Sequence, residues 1–438
     1  MKVKAIIIVL TAALFFTART ATPEVPAVLT ETGAQLLNIS GCIEKGLEVN
    51  PDVVRAAEDV KKSERYLMEK FAAFLPKVFL TYQFIRTSSP GIRRIASDDF
   101  LYAESIGAVR IEKDIFKGGE DYYTYNSARM NLHRSREAYL AAKKKLVYEL
   151  KTAFYDLLLA QSLLNIKTDA KNRMETYTTK IAKKKMVGEV RKYELLRSKV
   201  EVQGLESDIM ALKKEEIQLA AKLKELLMME AVPRIEIAGT LLVSDAQFAR
   251  DYPLNLTLEM ARNNNHDLKT ARFRQKTQKE TVKAAASKYA PAFSIKSAFY
   301  KSSDDFNLMS RYYYDWSLLL LINVPIFDGF KTASLVAQEK YEHAKTITTE
   351  ASVEERVVLE LKAAVDNLAE TREDIRAQKG LVNTARDAMN LIWVLYERNE
   401  ASQWDVIDAN TNYTRAEARL LISLRDHHIL MAKIENLT

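Results

Sequence analysis

The sequence repeats a set of landmarks at an almost constant spacing. The motif IFKGG, which begins at Ile115, returns as IFDGF at Ile326, 211 residues later. The prolines that precede the two motifs, Pro76 and Pro291, lie 215 residues apart. Two copies of one structural unit would show such a spacing, with the four-residue difference confined to a single loop. The chain is therefore predicted to be an internal duplication.

Proline is absent from two long stretches of the chain, residues 91–232 and the residues after 325. Because proline interrupts helix interiors, both stretches can be helical for most of their length. About 70 residues lie between Gly118 and Val187, and again between Gly329 and Arg398, which gives helices of about 100 Å. Apolar residues recur in them at spacings of three and four, which indicates heptad-like packing of neighbouring helices. Helices of this length do not fit one globular core.

Each long helix is predicted to end at a tight turn, from which a second helix of about 40 residues returns. The turn contains Gly188 in the first copy and Asn399 in the second. Glycine and asparagine best tolerate the left-handed conformation that a helix C-terminus needs. The sequence thus predicts two long helical hairpins with the same turn geometry.

The segments between the helices alternate apolar and polar residues, as strands of a membrane barrel do. The residues predicted to share the apolar face are Val78, Leu80, Tyr82, Phe84, Val109, Ile111, Ile115, Phe293, Ile295, Ser297, Phe299, Trp316, Leu318, Leu320, Ile322 and Val324. Aromatic residues cluster at the edges of the polar loops that join the strands, which is typical of a membrane interface. Four strands of an ordinary soluble sheet are the alternative interpretation.

Four strands are too few to close a membrane barrel, for which about eight is the smallest workable number. An open strand edge cannot face lipid, because no water is there to bind its backbone groups. A barrel formed by this chain must therefore be shared between subunits. Two copies would supply eight strands, with an interior filled by side chains, and three would supply twelve, wide enough for an aqueous lumen.

The first 21 residues resemble a secretory signal peptide. Lys2 and Lys4 precede an apolar stretch from Ala5 to Phe16 that is too short to span a bilayer. No later stretch is apolar over the roughly 18 residues that a transmembrane helix needs. The single cysteine, Cys42, excludes an internal disulfide, and we interpret it as a small core residue rather than a lipid-attachment site.

The sequence offers no catalytic chemistry. Its five histidines have no HExxH spacing, and neither a nucleophile elbow nor a phosphate-binding loop is present. The formal net charge of +7 comes from lysines and arginines scattered along helical patterns, which indicates solvated faces rather than a nucleic-acid site. We expect neither an enzyme nor a protein that binds a metal, a cofactor or a nucleic acid.

The order of these features resembles that of the outer-membrane efflux proteins of the TolC family over residues 37–437. The matching segments are LEVNPDVVRAA and its second copy NNNHDL, the helix-to-strand segments FLPKV and YAPAF, the IFKGG and VPIFDGF motifs, and the turn segments VGEVRKYELL and NEASQWDVIDA. The sequence departs from the family pattern at His266, which replaces a proline, and at Asn399, which replaces the usual glycine.

The resemblance implies a mixed α/β membrane protein that is internally duplicated. An outer-membrane β-barrel shared between three subunits would continue into the periplasm as a long α-helical coiled-coil tunnel. The predicted regions are a signal peptide at 1–21, a first repeat at 37–230, an equatorial connector at 231–253 and a second repeat at 254–438. Each repeat would contain a helix, two barrel strands and a long helical hairpin.

The function that the resemblance implies is the exit duct of a tripartite efflux or type I secretion system. Its partners would be a periplasmic adaptor (membrane fusion) protein, an inner-membrane pump of RND or ABC type, and outer-membrane lipid. Members of the family export drugs, metals, proteins or metabolites. The alternative is an exported periplasmic coiled-coil scaffold without channel activity, which explains the helices but not the duplicated strands.

The resemblance also implies a periplasmic gate. Asp405 and Asp408 match the aspartates that ring the tunnel entrance, and Glu194 and Tyr396 match its supporting network. Ala401 stands where the family has an arginine, so we expect the closing bonds either to be weaker or to come from Arg398 or Arg191. Six carboxylates in the mouth of a trimer are expected to raise some of their pKa values and to attract cations.

Two further groups of residues have predicted roles. The turns are expected to dock the adaptor through Val187, Gly188, Val190, Glu400, Ala401 and Ser402. The transitions between barrel and tunnel are expected at Pro76, Gly118, Gly119, Pro291, Pro325 and Gly329.

Overall fold

The computed structural model describes residues 35–87, 102–186, 188, 190–229, 235–244, 248, 250–303 and 312–438. The predicted signal peptide and the polar loops between the barrel strands lie outside these residues. Parts of the predicted connector at 231–253 also lie outside them.

The first repeat combines two short helices, two long strands and a helical hairpin. Its helices are α1 (Ile39–Val49), α2 (Pro51–Phe71), α3 (Glu120–Met186) and α4 (Lys192–Leu226). Its strands are β1 (Gln35–Leu37), β2 (Lys77–Thr87) and β3 (Tyr102–Lys117).

The second repeat has the same elements in the same order. Its helices are α5 (Leu254–Asn264), α6 (His266–Ala286), α7 (Lys331–Glu397) and α8 (Gln403–Leu437). Its strands are β4 (Ile235–Ile237), β5 (Ala292–Ser303) and β6 (Tyr312–Asn323). Corresponding helices have equal lengths of 11, 21, 67 and 35 residues, so the two offsets found in the motifs hold for every pair of helices.

Two asparagines divide the helical segments that precede the strands. Asn50 and Asn265 each accept a backbone N–H from the first turn of the next helix at 3.0 Å, so each caps that helix. The amide of Asn50 also donates to the carbonyl of Leu226 at 3.3 Å, and that of Asn265 to the carbonyl of Leu437 at 3.0 Å. Leu226 and Leu437 are the last residues of α4 and α8. Each asparagine therefore joins a helix of the barrel end to the end of a hairpin.

The four long strands form one antiparallel sheet in the order β2-β3-β5-β6. Its register aligns the predicted apolar face, since Leu80, Val109, Phe299 and Trp316 form one continuous row across the strands. These side chains are 40% to 76% exposed. The next row, which points to the opposite face, contains Thr81, Ala108, Tyr300 and Asp315. The sheet thus has an apolar face and a more polar one.

One predicted member of the apolar face lies in an irregularity of the sheet. The register between β3 and β5 shifts between Asp114 and Phe116, which places Ile115 in a bulge. Phe116 takes the pairing position opposite Phe293, and the two rings lie 6.1 Å apart. An extra residue in one strand reverses the alternation beyond it, so the period of two fails here.

The helices of the two repeats pack against each other most extensively through α3 and α6, and we call this helix contact the repeat seam. At its tunnel end, His266 lies 2.7 Å from the carboxylate of Glu137 (Nδ1 to Oε2). Further along, His133 stacks on Phe273 with ring centroids 5.3 Å apart. His266 occupies the position of Pro51 in the first repeat, so this departure from the family motif supplies a contact between the repeats.

The predicted transition residues lie where the strands meet the helices. Pro76 and Pro291 come directly before β2 and β5, and Pro325 comes two residues after β6. Gly118, Gly119 and Gly329 have φ angles of 61°, 87° and 67°. This left-handed conformation suits glycine because it has no side chain. Among the described residues, no helix is both long and apolar enough to cross a bilayer.

Replacing Gly118 with alanine should destabilise the protein. The left-handed conformation alone costs a non-glycine residue about 1–3 kcal/mol, and the new Cβ would collide with the carbonyl oxygen of Ser287. Thermal unfolding in detergent, followed by circular dichroism, should show a lower melting temperature. Gly380→Ala is the matched control, because its Cβ meets no atom within 4 Å and α7 gains helix propensity. Equal melting of Gly118→Ala and the unmodified protein would contradict this assignment.

Candidate functional site

The two hairpin turns at the tunnel end have the same backbone geometry. Gly188 and Asn399 both adopt the left-handed conformation, with φ angles of 84° and 61°. The N–H of Gly188 donates to the carbonyl of Lys185 at 3.1 Å, and that of Asn399 to the carbonyl of Tyr396 at 3.0 Å. The asparagine that departs from the family pattern thus performs the glycine's conformational role.

Asp405 caps the helix on which it lies. Its carboxylate accepts the backbone N–H and the hydroxyl of Ser402, both at 2.7 Å, while its own N–H donates to the Ser402 hydroxyl at 3.3 Å. This capping box begins α8. Hydrogen bonds from the Ser402 side chain and backbone hold the pKa of Asp405 below its usual range. Within one chain, the pKa thus shifts in the direction opposite to that expected for crowded carboxylates.

Glu194 has the corresponding position in the first repeat, 211 residues before Asp405. Its carboxylate accepts the backbone N–H of Arg191 at 3.5 Å at the start of α4. The Glu194 carbonyl accepts a hydrogen bond from the Gln403 side chain at 2.7 Å, which joins the two hairpins. Sequence reasoning did not select Gln403.

Asp408 lies one turn beyond Asp405, and both side chains are exposed on the same face of α8. Asn412 donates its side-chain amide to Asp408 at 2.9 Å. Val406 and Ile407 lie on the opposite side of α8 and are buried. The two aspartates therefore form a short acidic stripe that its own subunit leaves uncovered.

Tyr396 is a packing residue between the hairpins. Its ring meets the ring of Tyr177 edge-on at 4.9 Å, and both rings are buried. Burial raises the pKa of Tyr177. The surrounding cluster, which we call the tip core, contains Ala170, Met174, Tyr177, Ile181, Leu205, Tyr396, Val406 and Ile407. Tyr396 and the acidic stripe thus lie on different sides of the same packed unit.

Two lysines of α3 hold the ends of the two hairpins together, and we call them the lysine clasp. Lys180 pairs with the carboxylate of Glu397 and lies 5.4 Å from the ring centroid of Trp393. Lys184 donates to the side chain of Asn399 at 2.9 Å and lies 5.1 Å from the ring centroid of Tyr396. These contacts lie where sequence reasoning expected arginine.

Arg191 and Arg398, the arginines expected to supply closing bonds of the gate, lie beside the two turns. Within the described part of the chain, neither side chain forms an ion pair. The lysine clasp joins α3 to the end of α7 and the turn that follows it. It escapes sequence analysis because Lys180 and Glu397 lie 217 residues apart.

The predicted docking residues differ in accessibility. Gly188, Glu400 and Ser402 are exposed, whereas Val190 and Ala401 are half-buried against the tip core. Val187 lies outside the described residues. Its neighbour Met186 is 88% exposed and ends α3. The surface of the turns thus combines polar and backbone groups with one large apolar side chain.

Removing the lysine clasp should loosen the contact between the two hairpins. Exposed ion pairs and lysine–aromatic contacts are modest, so Lys180→Ala with Lys184→Ala should cost about 1 kcal/mol locally. Amide hydrogen exchange in the last turn of α7 should then become roughly fivefold faster. Lys183→Ala with Lys185→Ala is the matched control, since both side chains are exposed on the same helix. Equal exchange rates in the two double variants would show that the lysine clasp does not stabilise the contact between the hairpins.

Residues 257–429 match the family profile described as Outer membrane efflux protein. No curated protein matches the sequence. Within the described residues, no group of three or more histidine, cysteine or acidic side chains is placed to hold a metal ion.

Solved structures of outer-membrane channels share the fold of the chain over nearly its whole length. The CmeC channel of Campylobacter jejuni has a TM-score of 0.82 at 15% identity and covers 94% of this chain and 90% of its own. VceC of Vibrio cholerae has a TM-score of 0.78 at 13% identity, with 91% and 95% covered. The open state of the MtrE channel of Neisseria gonorrhoeae has a TM-score of 0.78 at 15% identity, with 91% and 88% covered.

These likenesses confirm the predicted fold class, since the matching structures have the same arrangement of helices and strands. The profile match over residues 257–429 agrees with the resemblance found in the sequence and with the predicted place in the outer membrane. Residues 257–429 thus match the outer membrane efflux protein family, and the chain as a whole has the fold of solved outer-membrane channels.

Proposed function

We propose that three copies of the chain form the exit duct of a tripartite efflux or type I secretion system. The duct would carry substrates from an inner-membrane pump of RND or ABC type across the periplasm and the outer membrane. The observation that carries this proposal is the four-stranded sheet, whose outer strands β2 and β6 each pair on one side only within the described residues.

Closure of the barrel accounts for these edges. Backbone groups that face lipid must be paired, so β6 of one subunit pairs with β2 of the next. Three copies supply twelve strands, enough for an aqueous lumen. The row that begins at Leu80 then faces lipid, and the row that begins at Thr81 faces the lumen. The lumen-facing guanidinium of Arg110 donates to the Thr81 hydroxyl at 2.9 Å, as suits a wet interior.

The helices give the duct its length. The 67 residues of α3 and of α7 each span about 100 Å from the barrel to the turns. A duct of this length brings its far end close to an inner-membrane pump.

Native mass measurement in detergent tests the assembly, and we expect a mass of three chains. A stable monomer or dimer would contradict both the barrel and the tunnel. Membrane extraction tests whether the protein is inserted in the outer membrane. A barrel protein stays with the membrane through carbonate and high-salt washes, whereas a periplasmic scaffold is released.

The acidic stripe is proposed as the gate of the duct. In a trimer, Asp405 and Asp408 place six carboxylates in one mouth, and their field attracts cations. Asp405 also stabilises the first turn of α8, so its charge is held in a fixed place. The tip core and the lysine clasp would hold the stripe in its closed position.

Neutralising the stripe should abolish the cation preference of the pore. Single-channel recordings of Asp405→Asn with Asp408→Asn should show a cation-to-anion permeability ratio that falls several-fold, and loss of block by multivalent cations. Asparagine keeps an acceptor oxygen for the Ser402 cap. The matched control is Asp366→Asn with Glu370→Gln, exposed carboxyls of α7 that lie roughly 45 Å from the mouth. Unchanged selectivity in the first variant would exclude the stripe as the gate.

The Ser402 cap gives the same gate a pH signature. Because the cap lowers the pKa of Asp405, the carboxylate stays charged to a lower pH than an ordinary aspartate. Ser402→Ala should therefore lose cation preference at a higher pH than the unmodified channel when the recording buffer is acidified.

The hairpin turns are proposed to dock a periplasmic adaptor. Single cysteines at Gly188, Val190, Glu400, Ala401 and Ser402, and at Val187, should crosslink to a co-expressed adaptor. Met210→Cys on α4 is the control, since Met210 is exposed but lies more than ten residues from either turn. Adducts at Met210 without adducts at the turns would move the docking surface to the helix sides.

A further inference from the structure

Phe330 combines two unfavourable features. Its φ angle is 67°, in the left-handed region that bulky residues rarely adopt. Its ring is 72% exposed in the single chain. Such a conformation costs about 1–3 kcal/mol and persists where other contacts compensate for it. Within the chain the ring meets that of Phe327 edge-on at 5.5 Å, and most of its surface is left uncovered, so further contacts are to be sought outside the subunit.

The first repeat shows where the ring belongs. Gly119 corresponds to Phe330 and is also left-handed, with a φ angle of 87°. A Cβ at Gly119 would lie 3.2 Å from the ring of Tyr123. Four residues after Phe330, at the position of Tyr123, the second repeat has Ser334. The side chain of Phe330 therefore starts beside the place that corresponds to the Tyr123 ring, where the second repeat has only a serine.

The ring of Tyr123 lies at the repeat seam. The ammonium group of Lys283, on α6, lies 5.7 Å from its centroid. The residue that corresponds to Lys283 in the first repeat is Met68, 215 residues earlier on α2. Met68 is 60% exposed in the single chain. Its neighbours on the same surface, Phe71 and Leu75, are also exposed.

Closure of the trimer brings the two exposed residues together. Six repeats related by nearly equal rotations form the ring, so each contact between repeats within a chain recurs between chains. Since α3 packs on α6 within the chain, α7 packs on α2 of the partner subunit. We propose that Phe330 packs on Met68 of the partner subunit, at the position of the Tyr123–Lys283 contact. This inference rests on the proposed trimer and names the contact that joins its subunits at the barrel boundary.

The chemistry of the contact changes in a consistent way. Within the chain, Lys283 lies over the ring of Tyr123. Between chains, the corresponding contact would join Met68 and Phe330, and contacts between a methionine sulfur and an aromatic ring are favourable. The ion pair between Glu120 and Lys288, 3.8 Å apart at the same end of the repeat seam, has no counterpart as an ion pair. The corresponding residues are Lys331 and Ala73. The contact between subunits is therefore more apolar here than the contact within one.

A crosslinking experiment tests the pairing directly. In a Cys42→Ala background, Phe330→Cys with Met68→Cys should give chains linked into trimers by a short thiol-specific crosslinker, as seen on denaturing gels. Tyr123→Cys with Lys283→Cys is the matched control and should crosslink within one chain. Phe330→Cys with Met210→Cys, whose second residue lies far along the tunnel, should not crosslink at all.

The thermal stability of the trimer shows whether the Phe330 ring packs against a partner subunit or is strained without making such a contact. Phe330→Gly relieves the left-handed strain, as Gly119 does in the first repeat. If the ring packs on Met68 of the partner subunit, the variant trimer should nevertheless dissociate at a temperature several degrees lower. Ser334→Ala, four residues away on the same face, should leave that temperature unchanged.

The outcomes distinguish this inference from the proposed function. A three-chain native mass with no linked chains from Phe330→Cys and Met68→Cys, while the control pair crosslinks, overturns the contact and leaves the duct standing. A Phe330→Gly trimer at least as stable as the unmodified one has the same meaning. A native mass of one or two chains contradicts the proposed function and, because the contact requires the trimer, contradicts the contact as well.

Discussion

The rest of the architecture depends on the requirement that backbone groups in lipid be paired. The sheet of one chain meets it at its two internal strands, β3 and β5, and leaves it unmet at β2 and β6 in the described structure. The apolar row from Leu80 to Trp316 runs across all four strands, and none of its four residues is charged. Soluble proteins protect such edges with charge or proline. An edge of this kind is tolerable only where a partner strand covers it.

Much of the fold follows from local rules that the sequence displays. Proline-free stretches gave both long helices, and glycine or asparagine at 188 and 399 gave the turns in the expected left-handed conformation. The period of two placed the apolar face of the sheet. It failed at Ile115, because a bulge is set by how β3 pairs with β5 and not by the strand's own residues. The break at Asn50 was likewise visible as a motif, but its bond to Leu226 needs the folded hairpin.

In the candidate site, too, contacts within one helix turn can be predicted from the sequence, whereas contacts between the repeats cannot. Ser402 and Asp405 form a capping box, which the pattern S-x-x-D is sufficient to indicate because both residues belong to one helix turn. The lysine clasp could not be predicted in this way, because each partner lies in the other repeat and the contact arises only when the hairpins pack. Residues that act within one helix turn are thus accessible to sequence reasoning. Those that join the repeats are not.

The asparagine bonds at the ends of α4 and α8 have a mechanical consequence. Asn50 and Asn265 attach the last residue of each returning helix to the start of the helix that leads into the sheet, so each returning helix has a hydrogen-bonded pivot at that end. A helix of 35 residues is a lever arm of about 52 Å. A rotation of about 5° around the Asn265 pivot would carry the acidic stripe roughly 5 Å sideways. Small angular changes at this pivot, partway along the long helices, would therefore become movements of several ångströms at the turns.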